Sequence, residues 1–283
     1  MQGTTSTRLL RGATGRGFSN GRKWPKLAGV MPHTTFTVDQ LADYLHVDRR
    51  HVEEFLQAGD LPHTVRGGRT YFQRAEVDAW ASQRVLRLPG EGLDWYHRKT
   101  TAGTREQFPE GALVPVLMSS PGIDLGLTSK TKASVIRDLV ALADRTGRVF
   151  DSRELRESVG AREALGSTAL PGGLALLHAR QHGAYRFDGS FVVLGRTIQP
   201  IPFGAPDGRA TQLFFLVCCQ DDRIHLHTLA RLCLLARETD VITRLAAAAD
   251  PAGAYDALLA AELTVLPAPE ATPSPKAKSR RQP

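Results

Sequence analysis

Between residues 112 and 264, short apolar runs of strand length alternate with stretches of helical periodicity, and no other feature restricts the fold as much. Leu174 to Leu177, Phe191 to Leu194 and Leu213 to Cys219 read as strands. Ser134 to Ala143 places Val135, Ile136, Leu139, Val140 and Leu142 as the apolar residues of an amphipathic helix. A second helix, capped by Asp151 or Ser152, reaches about Val159. Another begins within 224–236, and two more fall near 238–249 and 252–263. Alternation of this kind predicts an α/β fold, a layered domain.

The chain has 283 residues, enough for one large domain or two modest ones. Residues 34–85 read as a compact module of mixed helix and strand, and 86–111 as a linker holding Pro89, Gly90, Gly92, Gly103 and Pro109. Within that linker Trp95 and Tyr96 are candidates for docking onto a neighbour. Residues 1–33 form a basic leader without apolar period, and 265–283 a Pro-rich basic tail; both are expected to be disordered. Met31 stands just before the first structured segment, so a start codon assigned too early would account for the leader.

The net charge of +7 is concentrated at the ends. The first 30 residues carry +6 and the last 20 carry +3, leaving −2 for the body. Basicity in the tails alone is weak ground for nucleic-acid binding. No apolar run approaches the roughly 20 residues of a membrane-spanning helix, so no membrane partner is expected. Cys218, Cys219 and Cys233 form no CxxC pair, which argues against zinc or a dithiol redox site and for free thiols in a reducing cytoplasm. No metal and no cofactor is expected.

In the module at 34–85, Val38, Leu41, Ala42 and Leu45 share a helical stripe behind Thr37 as N-cap. Asp48 opens a second helix with Val52, Phe55 and Leu56, and Gly59 ends it. Gly67-Gly68 between Val65-Arg66 and Arg69-Thr70-Tyr71-Phe72 signals a hairpin. A closing helix runs from about Arg74 to Ala81, with Val77 and Trp80 inward. This order, in FTVDQLADYLHVDRRHVEEFLQAGDLPHTVRGGRTYFQRAEVDAW, resembles the MerR-like or excisionase-type winged helix-turn-helix. The resemblance implies DNA-facing roles for Arg49, Arg50 and His51 on the second helix, and for Arg66 and Arg69 on the wing. Against it, eight acids and six arginines leave the module at −2, and Glu53 and Glu54 lie on the recognition helix. A protein-docking module stands as the alternative.

Residues 112–264 carry Arg162-Glu163, Gly166-Ser167-Thr168, Gly172-Gly173, His178-Ala179 and, downstream, His225-Leu226-His227-Thr228-Leu229. In that order they resemble the type-2 enzyme IIA domains of the bacterial phosphotransferase system, including the nitrogen-regulatory branch, and the resemblance implies a layered α/β domain with a mixed sheet and flanking helices. The resemblance implies that His178 accepts phosphate, that Arg162 pairs with it, and that His225 is the second active-site histidine. Ser167 and Thr168 are candidate phosphate-binding hydroxyls. The residue types suit the chemistry: imidazole both accepts and releases a phosphoryl group, and guanidinium binds its oxygens in a bidentate way. His182 and His227 read as surface or supporting residues, and Arg180 as either solvated or phosphate-touching. Leu177 stands where family members usually have proline, which removes one restraint on the acceptor. The expected partner is a phosphorylated histidine phosphocarrier protein, in a cytoplasmic signalling role rather than sugar uptake. A helix-turn-helix regulator whose DNA binding answers to phosphorylation, or a silent docking protein with a regulatory protein target, are the other readings.

Overall fold

The computed structural model describes residues 35–45, 47–59, 61–88, 92–94, 96–97, 113–180 and 187–265. The leader, the tail, Trp95 and His182 lie outside them.

The N-terminal module is built from local signals. Helix α1 (Val38–Leu45) is boxed at its start: the Thr37 amide donates to Gln40 Oε1 at 2.9 Å, and the Gln40 amide to Thr37 Oγ1 at 3.4 Å. Helix α2 (Arg49–Gln57) ends at Gly59, whose φ of +75° suits glycine. Strands β2 (Thr64–Arg66) and β3 (Arg69–Gln73) form the hairpin, with Gly67 and Gly68 both at positive φ as a primed turn requires. A short β1 (Thr35–Phe36) pairs along the other edge of β3, setting Phe36 opposite Phe72.

Helix α3 spans Arg74–Arg87 and so runs well past Ala81, where local pattern alone would end it. Ala81, Ser82 and Val85 extend the buried stripe begun by Val77 and Asp78. That stripe meets helix α7 (Asp222–Glu238), so a partner far away in sequence supports the extra turns. Beyond α3, Leu93, Tyr96 and His97 are buried, within the stretch read as a linker.

The second domain begins with the single turn α4 (Val114–Leu117) and strand β4 (Ile123–Leu127). Helices α5 (Lys132–Asp144) and α6 (Ser152–Ala164) follow. Thr131 caps α5 through a reciprocal box with Ser134, and Asp151 caps α6 by accepting from the Glu154 amide at 2.8 Å. Then come β5 (Ala169–Leu170), β6 (Leu174–His178), β7 (Phe191–Ile201) and β8 (Thr211–Cys218). Helix α7 is followed by α8 (Val241–Ala247) and α9 (Pro251–Val265). The sheet order is β4-β7-β8-β6-β5. It is mixed: β4 runs parallel to β7 and β6 to β8, while β7/β8 and β5/β6 are antiparallel.

Both sheet faces are covered, which explains why its strands are apolar at consecutive positions. Ala175, Leu177, Val193, Phe214 and Leu216 pack with α5 and α6. Leu174, Leu176, Val192, Phe215 and Val217 pack on the opposite side, with Leu229 of α7. This second core continues into the helix-turn-helix, taking in Leu41, Val52, Phe72 and Val77. Leu177, which precedes His178, is a buried core side chain on the opposite face of the strand.

A buried ion pair closes the far side of this layer. Arg231 Nη1 lies 2.7 Å from Glu262 Oε1, and the Glu262 carboxylate also accepts from the Leu113 and Val114 amides. Among the described residues, no helix is long and apolar enough to cross a membrane.

Phe214 is fully buried, with its ring 5.1 Å from that of Phe203. Phe214→Ala is expected to lower stability by about 3–5 kcal/mol, measured as a fall in the urea midpoint at unchanged slope.

Candidate functional site

The site is assembled where β6 ends. Its start is fixed by the turn Pro171–Gly173, in which Gly172 and Gly173 have φ of +89° and +93°. The Gly172 amide donates to Asp207 Oδ2 at 2.9 Å, and the Gly173 carbonyl accepts from the Gln212 and Leu213 amides. The last of these contacts begins the parallel β6/β8 ladder, which runs to the pair His178↔Val217. Side chains alternate along a strand, so His178 shares the face of Leu174 and Leu176, toward α7.

Two hydrogen bonds orient the His178 ring. Nδ1 lies 2.9 Å from the Leu176 carbonyl, and Nε2 lies 3.0 Å from Nε of Arg162, an N–H donor. A carbonyl only accepts, so Nδ1 must carry the proton; Nε2 accepts from Arg162 and must hold the lone pair. The geometry therefore selects one neutral tautomer. His225, in the first turn of α7, brings its ring centroid to 5.0 Å from that of His178, tilted by 57°. His178, His225 and Arg162 are each only 1% exposed.

Arg162 sits in the last turn of α6, where positive charge suits the helix dipole. Its Nη1 donates to the Gly166 carbonyl at 3.1 Å. Burial pushes its pKa below the usual arginine value; Glu163 pulls it back up, and Arg87 of α3 lowers it further. Glu163 has a separate task. It accepts from the Thr168 amide and hydroxyl at 3.0 and 2.7 Å, and pairs with Lys132 at 2.8 Å. The Thr168 hydroxyl is thus committed to Glu163. The Ser167 hydroxyl donates to the Phe203 carbonyl at 2.7 Å and accepts from the Ala169 amide. Both brace the loop that carries Arg162's acceptor, Gly166.

Residues 117–261 match the family model of the phosphoenolpyruvate-dependent sugar phosphotransferase system, EIIA 2. The chain belongs to this family. The helix-turn-helix domain model matches residues 35–85. A nitrogen regulatory protein of Bradyrhizobium diazoefficiens is 31% identical over 145 residues, covering 50% of this chain and 92% of that protein. The fructose-specific EIIABC component of Bacillus subtilis is 29% identical over 125 residues, 43% of this chain, but the match spans only 19% of that protein. The nitrogen regulatory protein IIA-Ntr of Neisseria meningitidis has a solved structure that matches at 23% identity and a TM-score of 0.47, covering 52% of this chain and 99% of that one.

Around the EIIA site, the helix-turn-helix contributes more than sequence pattern suggests. Ser82 of α3 places its hydroxyl 3.5 Å from His225 Nε2. Arg74, the first residue of α3, forms an ion pair with Asp222, the first residue of α7. A cavity of about 370 Å³ lies beside Arg162, bounded by Gln83, Arg87, Gly166, Ser167 and Pro206. None of these α3 residues carries a local signal of such a role. The spacing of Val77, Ala81 and Val85 does reveal a stripe in search of a partner.

His227 is buried rather than on the surface, with its ring stacked at 5.2 Å on that of His97. Arg180 is exposed, and its amide donates to the Ser158 hydroxyl. On the helix-turn-helix, Arg49 is paired with Asp39 and Glu53, and Arg50 with Glu54. His51 lies 3.8 Å from Asp48. Arg66 and Arg69 face each other across the exposed hairpin end. Burial pushes the Cys219 and Cys233 thiols up to about 12 and raises Cys218 as well, so all three sit as protonated core residues. Among the described residues, no group of His, Cys, Asp and Glu side chains is gathered to hold a metal ion.

The tautomer can be read directly. Nitrogen-15 NMR of His178 at neutral pH is expected to show a protonated Nδ1 and an unprotonated Nε2. A ring protonated at Nε2 would contradict this geometry.

Proposed function

We propose that His178 accepts a phosphoryl group on Nε2 from a phosphorylated histidine phosphocarrier protein. The observation that carries this reading is the lone pair on Nε2, held there by the bond from Nδ1 to the Leu176 carbonyl and facing the Arg162 guanidinium. In the transfer, the Nε2 lone pair forms the new N–P bond as the donor's N–P bond breaks. The bonding pair of the broken bond stays on the donor nitrogen. Positive charge arising on the His178 ring is met by the Leu176 carbonyl through the Nδ1 proton. Arg162 releases Nε2 and takes up phosphoryl oxygens in the two-pronged manner that guanidinium allows. His225 stands close enough to hydrogen-bond an oxygen of the same group, and Ser167 and Thr168 act by holding the loop beside it. The extensive match to a nitrogen regulatory protein supports a signalling role over sugar uptake.

Incubation with phosphoenolpyruvate and the general phosphotransferase components should label the full chain. His178→Ala is expected to abolish the label, and Arg162→Lys to slow labelling about 100-fold. A label that survives in His178→Ala rules the assignment out.

A second reading concerns the helix-turn-helix, and the exposed Arg66 and Arg69 favour it. With Arg49 and Arg50 engaged by the module's own acids, the wing supplies the available contacts to a DNA backbone. Two phosphate contacts imply a shallow salt dependence, a log–log slope of about −2. Fluorescence anisotropy on promoter fragments should return that slope. Binding that is unchanged in Arg66→Ala/Arg69→Ala would remove the wing from the reading.

A further inference from the structure

We infer that α3 of the helix-turn-helix is an intramolecular competitor of the phosphoryl donor: it occupies the surface of the EIIA domain through which a donor histidine must reach His178. The inference rests on the phosphate-acceptor reading above.

Transfer between two proteins needs the donor nitrogen nearly in line with the acceptor, with the reacting atoms about 3–3.5 Å apart. His178, Arg162 and His225 are each 1% exposed, so no protein side chain can approach the acceptor as it stands. The covering element on the His225 side is α3. Ser82 lies on His225, and Arg87 and Gln83 border the cavity next to Arg162. Ala81 and Val85 belong to the same buried core as Leu176 and Leu229. The Arg74–Asp222 ion pair clasps α3 to the start of α7, one turn from His225. The cavity of about 370 Å³ is large enough for a phosphate-sized anion, but not for a protein loop carrying a phosphohistidine.

For a donor to engage, α3 must leave. It cannot leave alone, because Val77 packs with Phe72, Leu41 and Val52 in the core of its own module. The whole helix-turn-helix, with Arg66 and Arg69 on its wing, moves with it. Donor docking and module docking are therefore mutually exclusive. By linkage, whatever holds the module elsewhere speeds phosphorylation, and donor binding frees the module to the same degree. The observed transfer rate scales with the undocked fraction.

The test uses the full chain and three forms: wild type, Ser82→Ala and Ser82→Trp. Ser82 is 2% exposed against the EIIA domain, so tryptophan wedges α3 away, whereas alanine keeps the packing. Carbethoxylation by diethyl pyrocarbonate, mapped by mass spectrometry, reports access to His178, with the exposed His63 as internal reference. In wild type and Ser82→Ala, His178 is expected to react at least about tenfold more slowly than His63; in Ser82→Trp the two should become comparable. Phosphorylation by the phosphorylated histidine phosphocarrier should accelerate about tenfold in Ser82→Trp. In wild type, saturating donor should raise hydroxyl-radical labelling of the Val85 side chain, which is buried in the docked state, a reading that needs no variant to fold. His178 reacting as fast as His63 in wild type overturns the inference. So does a Val85 side chain that stays unlabelled while His178 is being phosphorylated, or an opened Ser82→Trp that is phosphorylated no faster. Failure of every form to accept phosphate would count against the proposed function, while the reagent access of His178 would still decide whether α3 closes the site.

Discussion

The parallel pairing of β6 with β8 is the constraint on which the site depends. It holds five consecutive residues, Leu174 to His178, in register with Leu213 to Val217. Register and side-chain alternation together decide which way His178 points. A slip of one residue would turn the imidazole toward α5 and α6, and would put Leu177 where Arg162 and α7 meet. Two buried faces make such a slip costly, since Ala175 and Leu177 fit one core and Leu174 and Leu176 the other. The Gly172-Gly173 turn, tied to Asp207 and to the start of β8, sets where the register begins.

Given that register, polar groups finish the site at little risk of misplacement. The Leu176 carbonyl selects the tautomer, and Arg162 is held by its bonds to Gly166 and His178. Glu163, the neighbour of Arg162 in sequence, faces Thr168 and Lys132 and so neutralises charge without competing for the imidazole. A buried arginine without such support would be costly, and its burial shows in its lowered pKa. The neighbouring helix layer has its own buried charge pair in Arg231 and Glu262, which fastens α7 to α9 and to the first turn of the domain.

The motifs around the site were legible because their residues sit close together in sequence or at the ends of patterned elements. Arg162, Gly172-Gly173 and His178 fall within one stretch of 17 residues, and His225 opens an apolar helix. The helix-turn-helix was legible for similar reasons, through its capping residues, its Gly-Gly turn and its short apolar stripes. The hydroxyls of Ser167 and Thr168 were easy to name, but their partners were not. Phe203 lies 36 residues beyond Ser167, and the side of the turn that Glu163 faces depends on how α6 packs. Helix α3 outruns its local signal because the residues after Ala81 find their partners only on α7.

By itself, the sequence determined the layered α/β class, the helix-turn-helix, the motif residues Arg162, His178 and His225 as candidates, and the charge balance of each part. These follow from period, turn chemistry and local motif, which act over a few residues. Only the tertiary structure decided that His178 is covered, that the two modules share one apolar core, and that Ser82, Arg87 and Arg74 lie at the EIIA site. Those facts come from contacts such as Ser82 with His225, 143 residues apart, and Arg74 with Asp222, 148 apart. A single serine or arginine carries no periodic signal of its distant partner; burial against the partner supplies the meaning.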